Sequence, residues 1–461
     1  MRRAAAVPLG LGFLLAACTA PTPDPAADPS ATRPTASATT AEPAPGPRQP
    51  LVLVTHMTRP QVRLGLAGAR AILRGEDDRW RVVAAPGTPD VDARFATSAA
   101  AAVRAVARDP GVLAVLPAAA VGPTVRAVSV GGVDPMRDPA SYPLTVAGPR
   151  PPRPTSLTVV GDVMLGRGVP DPAAALAPLG RRLRAADLTV GNLESTLSTA
   201  GQPQQGGDSF AADPGVLGLL FGAGFDAMSL ANNHTGDFEE QALLRTVRLF
   251  KDSPVHAFGA GRDRAAAGRA VVLERRGTRF GFVGFNAIGE TPRATRDRAG
   301  ALSVRMPPRT GPLVRADLDH VAGLVRRLDG RVDVVVVVPH WGTQYTHEPE
   351  PVQRRVAKVL VGAGADLVVG GHPHWVQGID VVGDALVAHS LGNFVFDMDF
   401  MTETQQGVIL EATYWGDRLV AVDLVPCRMD GSFAPRTADG PEGAEILADV
   451  WGSSTGPFKA R

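Results

Sequence analysis

The segment Gly371-His372-Pro373-His374 sets two imidazoles two residues apart, directly beyond the apolar run Leu367-Val368-Val369. Glycine frees the backbone there and proline fixes it, an arrangement that serves packing poorly and suits a metal ligand pair. Four further polar clusters also follow apolar runs: Gly161-Asp162, Gly191-Asn192-Leu193-Glu194, Ala231-Asn232-Asn233-His234 and Pro339-His340-Trp341-Gly342. Each has an ordinary alternative. A Gly-Asp is commonly a turn, Asn-Asn-His can form an Asx turn that caps a helix, and a single strand-end histidine is usually hydrogen-bonded within the fold. Together they bring carboxylates, amide oxygens and imidazoles to one rim, because the carboxyl ends of strands in an open α/β sheet converge where ligands bind. Mixed oxygen and nitrogen donors suit one or two divalent ions of the Mn, Fe or Zn type better than Ca or Mg. Two such ions can activate water and stabilise a displaced oxygen.

The elements that must present these clusters are legible as alternating patterns. Val334 to Val338 is a continuous apolar run, as in a strand buried on both faces. Helical spacing places Leu243, Leu244, Val247 and Phe250 on one face, Leu318, Val321, Val325 and Leu328 on a second, and Val352, Val356, Val359 and Leu360 on a third. An α/β domain is expected over 156–430, with hairpins after Gln377. Residues 431–461 have little periodicity and read as a loosely packed tail. Residues 51–148 form a smaller α/β pattern, with strands at 51–54, 112–116 and 125–130 and helices at 65–73 and 99–107. Pro149 to Pro154 reads as a stiff linker over 149–155.

The chain has 461 residues, 47 basic and 46 acidic side chains and a net charge of +1. That balance argues against nucleic acid as a partner. With two cysteines, Cys18 and Cys427, neither a disulfide framework nor a cysteine zinc site is available. Met1-Arg2-Arg3 followed by uncharged residues to Ala17 reads as a signal peptide over 1–17. Leu15-Ala16-Ala17-Cys18 resembles a bacterial lipoprotein cleavage box, which implies a lipid on Cys18 and a place on the extracytoplasmic face of the cell membrane; plain signal cleavage is the alternative. Residues 18–50, rich in Pro, Ala and Thr, read as a disordered spacer. Parts of 51–148 resemble one lobe of a phosphate-type periplasmic binding protein, which suggests an accessory domain, or a solute receptor over 51–144.

GDVMLGR, GNLES, SLANNHTGD, VVVPHWG, GADLVVGGHPHWVQG and HSLGNFVFD, in this order, resemble the CapA family of bacterial capsule-synthesis proteins, associated with poly-γ-glutamate. That family is similar in turn to calcineurin-like metallophosphoesterases, which implies a sandwich of two sheets flanked by helices. The resemblance would put Asp162 and His374 on a first metal and Asn233, His340 and His372 on a second, with His234 as the acid. The chain departs from the phosphoesterase pattern twice. Met164 stands where a histidine is expected, and Asn192 replaces a bridging aspartate, leaving Glu194 to reach between the metals.

Near the rim, Arg167 would bind an anionic group or form a surface ion pair. His389 and Asn393 would line the pocket or hold a hairpin. Trp341 and Trp375 would shield the site or offer a sugar or peptide platform. The expected function is a lipid-anchored, metal-dependent hydrolase acting on an anionic polymer or phosphoester in capsule or envelope polymer synthesis, alongside other capsule-synthesis subunits. The alternative is a non-catalytic polymer-binding or scaffold protein.

Overall fold

The computed structural model describes residues 46–460. The expected signal peptide, most of the spacer and Cys18 lie outside them. Gly46–Arg461 forms one compact unit.

Two sheets face each other across a shared core. In the first, Pro154–Val163 runs parallel to Leu188–Leu193, which is followed outward by Ala227–Ser229 and His256–Phe258. On its other side Pro154–Val163 pairs antiparallel with Gln406–Trp415, the first arm of a hairpin completed by Arg418–Met429. The second sheet orders Val271–Arg275, Thr278–Asn286, Val334–His340, Leu367–Val369, Ala385–Ala388 and Ile379–Val382, with its middle strands parallel. Side-chain alternation decides which way each strand faces. Val334, Val336 and Val338 join Leu157, Val159, Leu188 and Val190 between the sheets. Val335 and Val337 turn outward onto Leu318, Val321 and Val325 of helix Arg315–Asp329 and Val356 of helix Pro351–Gly362. On the opposite outer face, helices Pro172–Ala185 and Val216–Ala223 cover Val160 and Val163. The result is the expected two-sheet sandwich flanked by helices, with four layers and a continuous apolar centre.

The smaller α/β region is built on Arg48–His56, which pairs antiparallel with Val112–Pro117, Val125–Ala127 and Thr145–Ala147. Its first strand starts at Arg48, inside the segment expected to be spacer. It does not hang from a free linker. Trp415 and Val420 of the hairpin share a core with Val52, Val54 and Leu116. The Trp415 Nε1–H donates to Met136 O at 2.9 Å, and Arg137 bridges to Glu411 and Asp423. Pro154 and Thr155, expected to be linker, already belong to the central strand.

The tail also differs from expectation. Gly440–Ser453 is a helix, and Ile446, Val450, Trp451 and Phe458 are buried in the inter-sheet core. Ile446 and Val450 stand four apart and Trp451 beside them, a helical face that a segment rich in Gly and Pro hides from pattern counting.

Candidate metal centre

The parallel strands of both sheets end on the same rim, and their carboxyl ends deliver the five polar clusters to one buried place. The rim demands close backbone approach. A Cβ on Gly161 would fall 2.0 Å from Gly392 O, and one on Gly371 would fall 2.4 Å from Asp162 Oδ1, so neither position admits a side chain without displacing its neighbour. His372 and His374 both hold positive φ, 96° and 57°, a strained conformation for residues with a Cβ and one that concentrates at functional sites.

Asp162, Glu194, Asn233, His234, His340, His372 and His374 are all 5% exposed or less. Two sets of donor atoms lie within 4.8 Å of one another, one from Glu194, His340 and His372 and the other from Asp162, Glu194 and His374. Glu194 is common to both. Its Oε1 is 3.4 Å from His340 Nε2, 3.9 Å from His374 Nε2 and 3.8 Å from His234 Nε2. Asn233 extends the first set, its Oδ1 2.8 Å from His340 Nε2.

Asn192, which stands where an aspartate bridge is expected, does not bridge. Its amide nitrogen donates to Asp162 Oδ1 at 2.8 Å, and its oxygen accepts from Asn232 Nδ2 at 3.0 Å. It therefore orients Asp162 and leaves the space between the sets to the longer Glu194. Met164, in place of a histidine, is buried, with its sulfur turned to Gly166 N.

Burial is the largest influence on the ionisation of these groups. It raises Glu194 from 4.5 to about 8, with the Asp162 charge adding to the rise and His374 and His234 opposing it. Burial lowers His340 to about 4 against the pull of Asp162. It also drives His372 well below 6.5, assisted by the neighbouring imidazoles. Neutral imidazoles beside two carboxylates form a donor set suited to a cation. Glu194 Oε1 and His372 Nδ1 are buried without any hydrogen-bond partner. An orphaned oxygen and an orphaned nitrogen in one pocket are costly unless something positive occupies the space between them. The residues fit a divalent ion.

The surrounding shell fixes the donors. Asn393 Oδ1 lies 2.9 Å from His374 Nδ1, and its amide donates to Thr404 O at 2.8 Å, which leaves His374 Nε2 facing Glu194. Of the alternatives for Asn393, the structure thus gives a third, orientation of the His374 ring. The Asx turn belongs to Asn232, whose Oδ1 accepts from the backbone N–H of His234 and Thr235, freeing Asn233 for the site. His234 Nδ1 meets Asp237 Oδ2 at 2.7 Å, and its ring stacks on Phe210 at 3.8 Å. Asp237 also accepts from Gln205 Nε2 and Phe210 N. Sequence reasoning does not reach Asp237 or Phe210; the one signal for Asp237 is its place three residues after His234.

Three residues expected near the rim have other work. Arg167 forks onto Asp397 through two contacts of 2.6 Å and lies over the Phe210 ring, so its guanidinium is an ion-pair partner and not a free anion site. Trp341 is fully buried below the rim, its indole N–H donating to His389 O at 2.9 Å, and it shields no opening. His389 lies under it, 2.9 Å from Asp380, in a network with Arg354 and Thr455, and does not line the pocket. Trp375 is half-buried against His347 and Tyr345.

The helix-flanked α/β sandwich gathers at its strand ends buried carboxylates and imidazoles spaced to hold a metal ion. The family described as bacterial capsule synthesis protein PGA_cap matches residues 156–398, more than half of the chain, and the chain belongs to that family. It is 30% identical over 295 residues to the capsule biosynthesis protein CapA of Bacillus anthracis, covering 61% of this chain and 70% of that one. It is 27% identical over 269 residues to the PGA biosynthesis protein CapA of Bacillus subtilis (strain 168), covering 56% and 67%. Among solved structures, a hypothetical protein from Thermus thermophilus aligns with a TM-score of 0.38 and 17% identity over 62% of this chain and 100% of that one. That likeness is too slight to bear on the site.

Proposed function

We propose that this chain is a metal-dependent hydrolase of capsule or envelope polymer synthesis, acting on a phosphoester or an amide-like bond. The observation that carries the reading is Glu194, one carboxylate shared by two donor sets with an oxygen left unpaired. Asp162, Glu194 and His374 would hold one ion, and Glu194, Asn233, His340 and His372 the other, with Mn, Fe or Zn as the ions that match this donor chemistry. Such ions supply Lewis acidity toward a phosphoryl or carbonyl oxygen and a nucleophile at neutral pH. The chain's own contribution is to orient and to exchange a proton. Asp237 fixes His234 through Nδ1, so the proton moves at Nε2, on the side of Glu194. Phe210, stacked on that imidazole, holds it in its plane and is itself backed by Arg167.

The names of the relatives support a role in capsule or poly-γ-glutamate synthesis, and the polymer and its synthesis subunits are the proposed partners. Cys18 would carry the lipid that anchors the chain outside the cytoplasmic membrane. Among the described residues, no helix is long and apolar enough to cross a membrane. A second reading, a polymer-binding scaffold without turnover, is favoured by Met164, which leaves the Asp162 set one donor short of the phosphoesterase pattern.

A screen of phosphomonoesters, phosphodiesters and γ-glutamyl peptides with added Mn or Zn separates the two. Turnover abolished by His234→Ala supports the hydrolase, and binding without turnover supports the scaffold. Metal content unchanged from the wild type in the combined Asn233→Ala, His340→Ala, His372→Ala variant would overturn the metal centre on which the hydrolase rests.

A further inference from the structure

Beside the Asp162 set, the rim rises into an aromatic corner that no step so far requires. Tyr345 stacks over the ring of His374, centroids 6.2 Å apart and planes 28° apart. Phe400 meets Tyr345 edge-on at 5.7 Å and 88°, so the two rings form a floor and a wall. Phe400 is 58% exposed and Met401, next to it, 38%. Large apolar side chains left in water at the lip of a buried site usually mark a binding surface.

The corner is built, not incidental. Tyr345 holds φ at 61°, a conformation rarely tolerated by a bulky residue, and its N–H donates to Pro373 O at 2.9 Å, between the two histidines. The loop bearing Phe400 is tied to the same place, because Thr404 O accepts from Asn393, which holds His374.

Charge narrows the class of ligand. Arg167 is already forked onto Asp397. Asp208, though largely exposed, faces Arg167 at 3.4 Å, and the Phe400 loop carries Asp399 and Glu403. With Arg167 held by Asp397 and Asp208, what the corner offers a ligand is its two ring faces, which match a neutral ring with an apolar face and hydroxyl edges.

We infer that Tyr345 and Phe400 form a subsite for a sugar ring, placing a glycan portion of the substrate beside the metal centre. This rests on the hydrolase reading for its role in positioning substrate.

Calorimetric titration with an N-acetylglucosamine trimer, with maltotriose and with a γ-linked glutamate trimer tests it on the whole chain. The expected result is that a trisaccharide binds the wild type and that Phe400→Ala and Tyr345→Ala each weaken it about tenfold, the scale of losing one ring-stacking contact. Phe400 is exposed, so its variant keeps the melting temperature of the wild type. The inference is overturned if neither trisaccharide binds, if Phe400→Ala binds as the wild type does, or if the glutamate trimer binds more tightly than both sugars. Elemental analysis of the same samples separates the two claims. Metal without sugar binding refutes the corner alone, and sugar binding without metal refutes the hydrolase reading while the subsite stands.

Discussion

Replacing Glu194 with glutamine should stabilise the metal-free protein and weaken the metal-loaded one. In the metal-free fold, burial and Asp162 raise the carboxyl from 4.5 to about 8. The folded state therefore binds more protons than the unfolded chain between these values, and its stability falls as pH rises through that window. At about 1.4 kcal/mol per pH unit, the loss reaches about 3 kcal/mol by pH 7. Glutamine has the same shape and no proton to lose, so the variant escapes it. His340 and His372, kept neutral by burial, contribute the opposite slope below their ordinary value in both proteins, so the difference between wild type and variant isolates Glu194. A bound divalent ion reverses the order, because it needs the ionised carboxylate. The assay is urea denaturation at several pH values between 5 and 8, with chelator and with added Mn. The reasoning predicts a variant more stable than wild type by about 3 kcal/mol in chelator at pH 7, but gaining far less from Mn. A variant that is less stable in chelator and equally responsive to Mn would refute it.

Other consequences follow from the same geometry. Asn393→Ala removes the partner of His374 Nδ1, and metal affinity measured by competition with a chelator should fall about 10- to 100-fold. Asp237→Asn leaves the site intact but releases His234; turnover should drop by a factor on the order of 100 or more with unchanged metal content, and equal turnover would exclude the pair. Phe458→Ala should cost about 3–5 kcal/mol in denaturant midpoint analysis, whereas a loosely packed tail would cost almost nothing. Cys18→Ser should abolish incorporation of labelled fatty acid in bacterial cells; labelling that persists would place the lipid elsewhere.

The sequence reveals the site further than it reveals the shell that holds it. Apolar runs that end in Asp162, His340 or His372 are readable because strand burial and strand-end chemistry are local. The shared place of Glu194 in both donor sets is not local: it depends on Asn192 turning its amide to Asp162, a choice fixed by Asn232 from the loop after another strand. Asn393 and Trp341 illustrate the same limit. Each sits in a segment that resembles the family, yet one orients His374 and the other fills the core, and only contacts to Thr404 and His389 distinguish them. Arg167 is readable as a forked binder, but its partner, Asp397, lies 230 residues away. The tail is illegible for a different reason: Gly and Pro mask the face formed by Ile446, Val450 and Trp451.

Anomalous scattering from crystals grown with Mn would show whether an ion sits between the two donor sets. The expected map shows a peak bonded to Glu194 and at least two of His340, His372, His374 and Asp162. Manganese bound only at other places, with these side chains hydrogen-bonded to water instead, would contradict it.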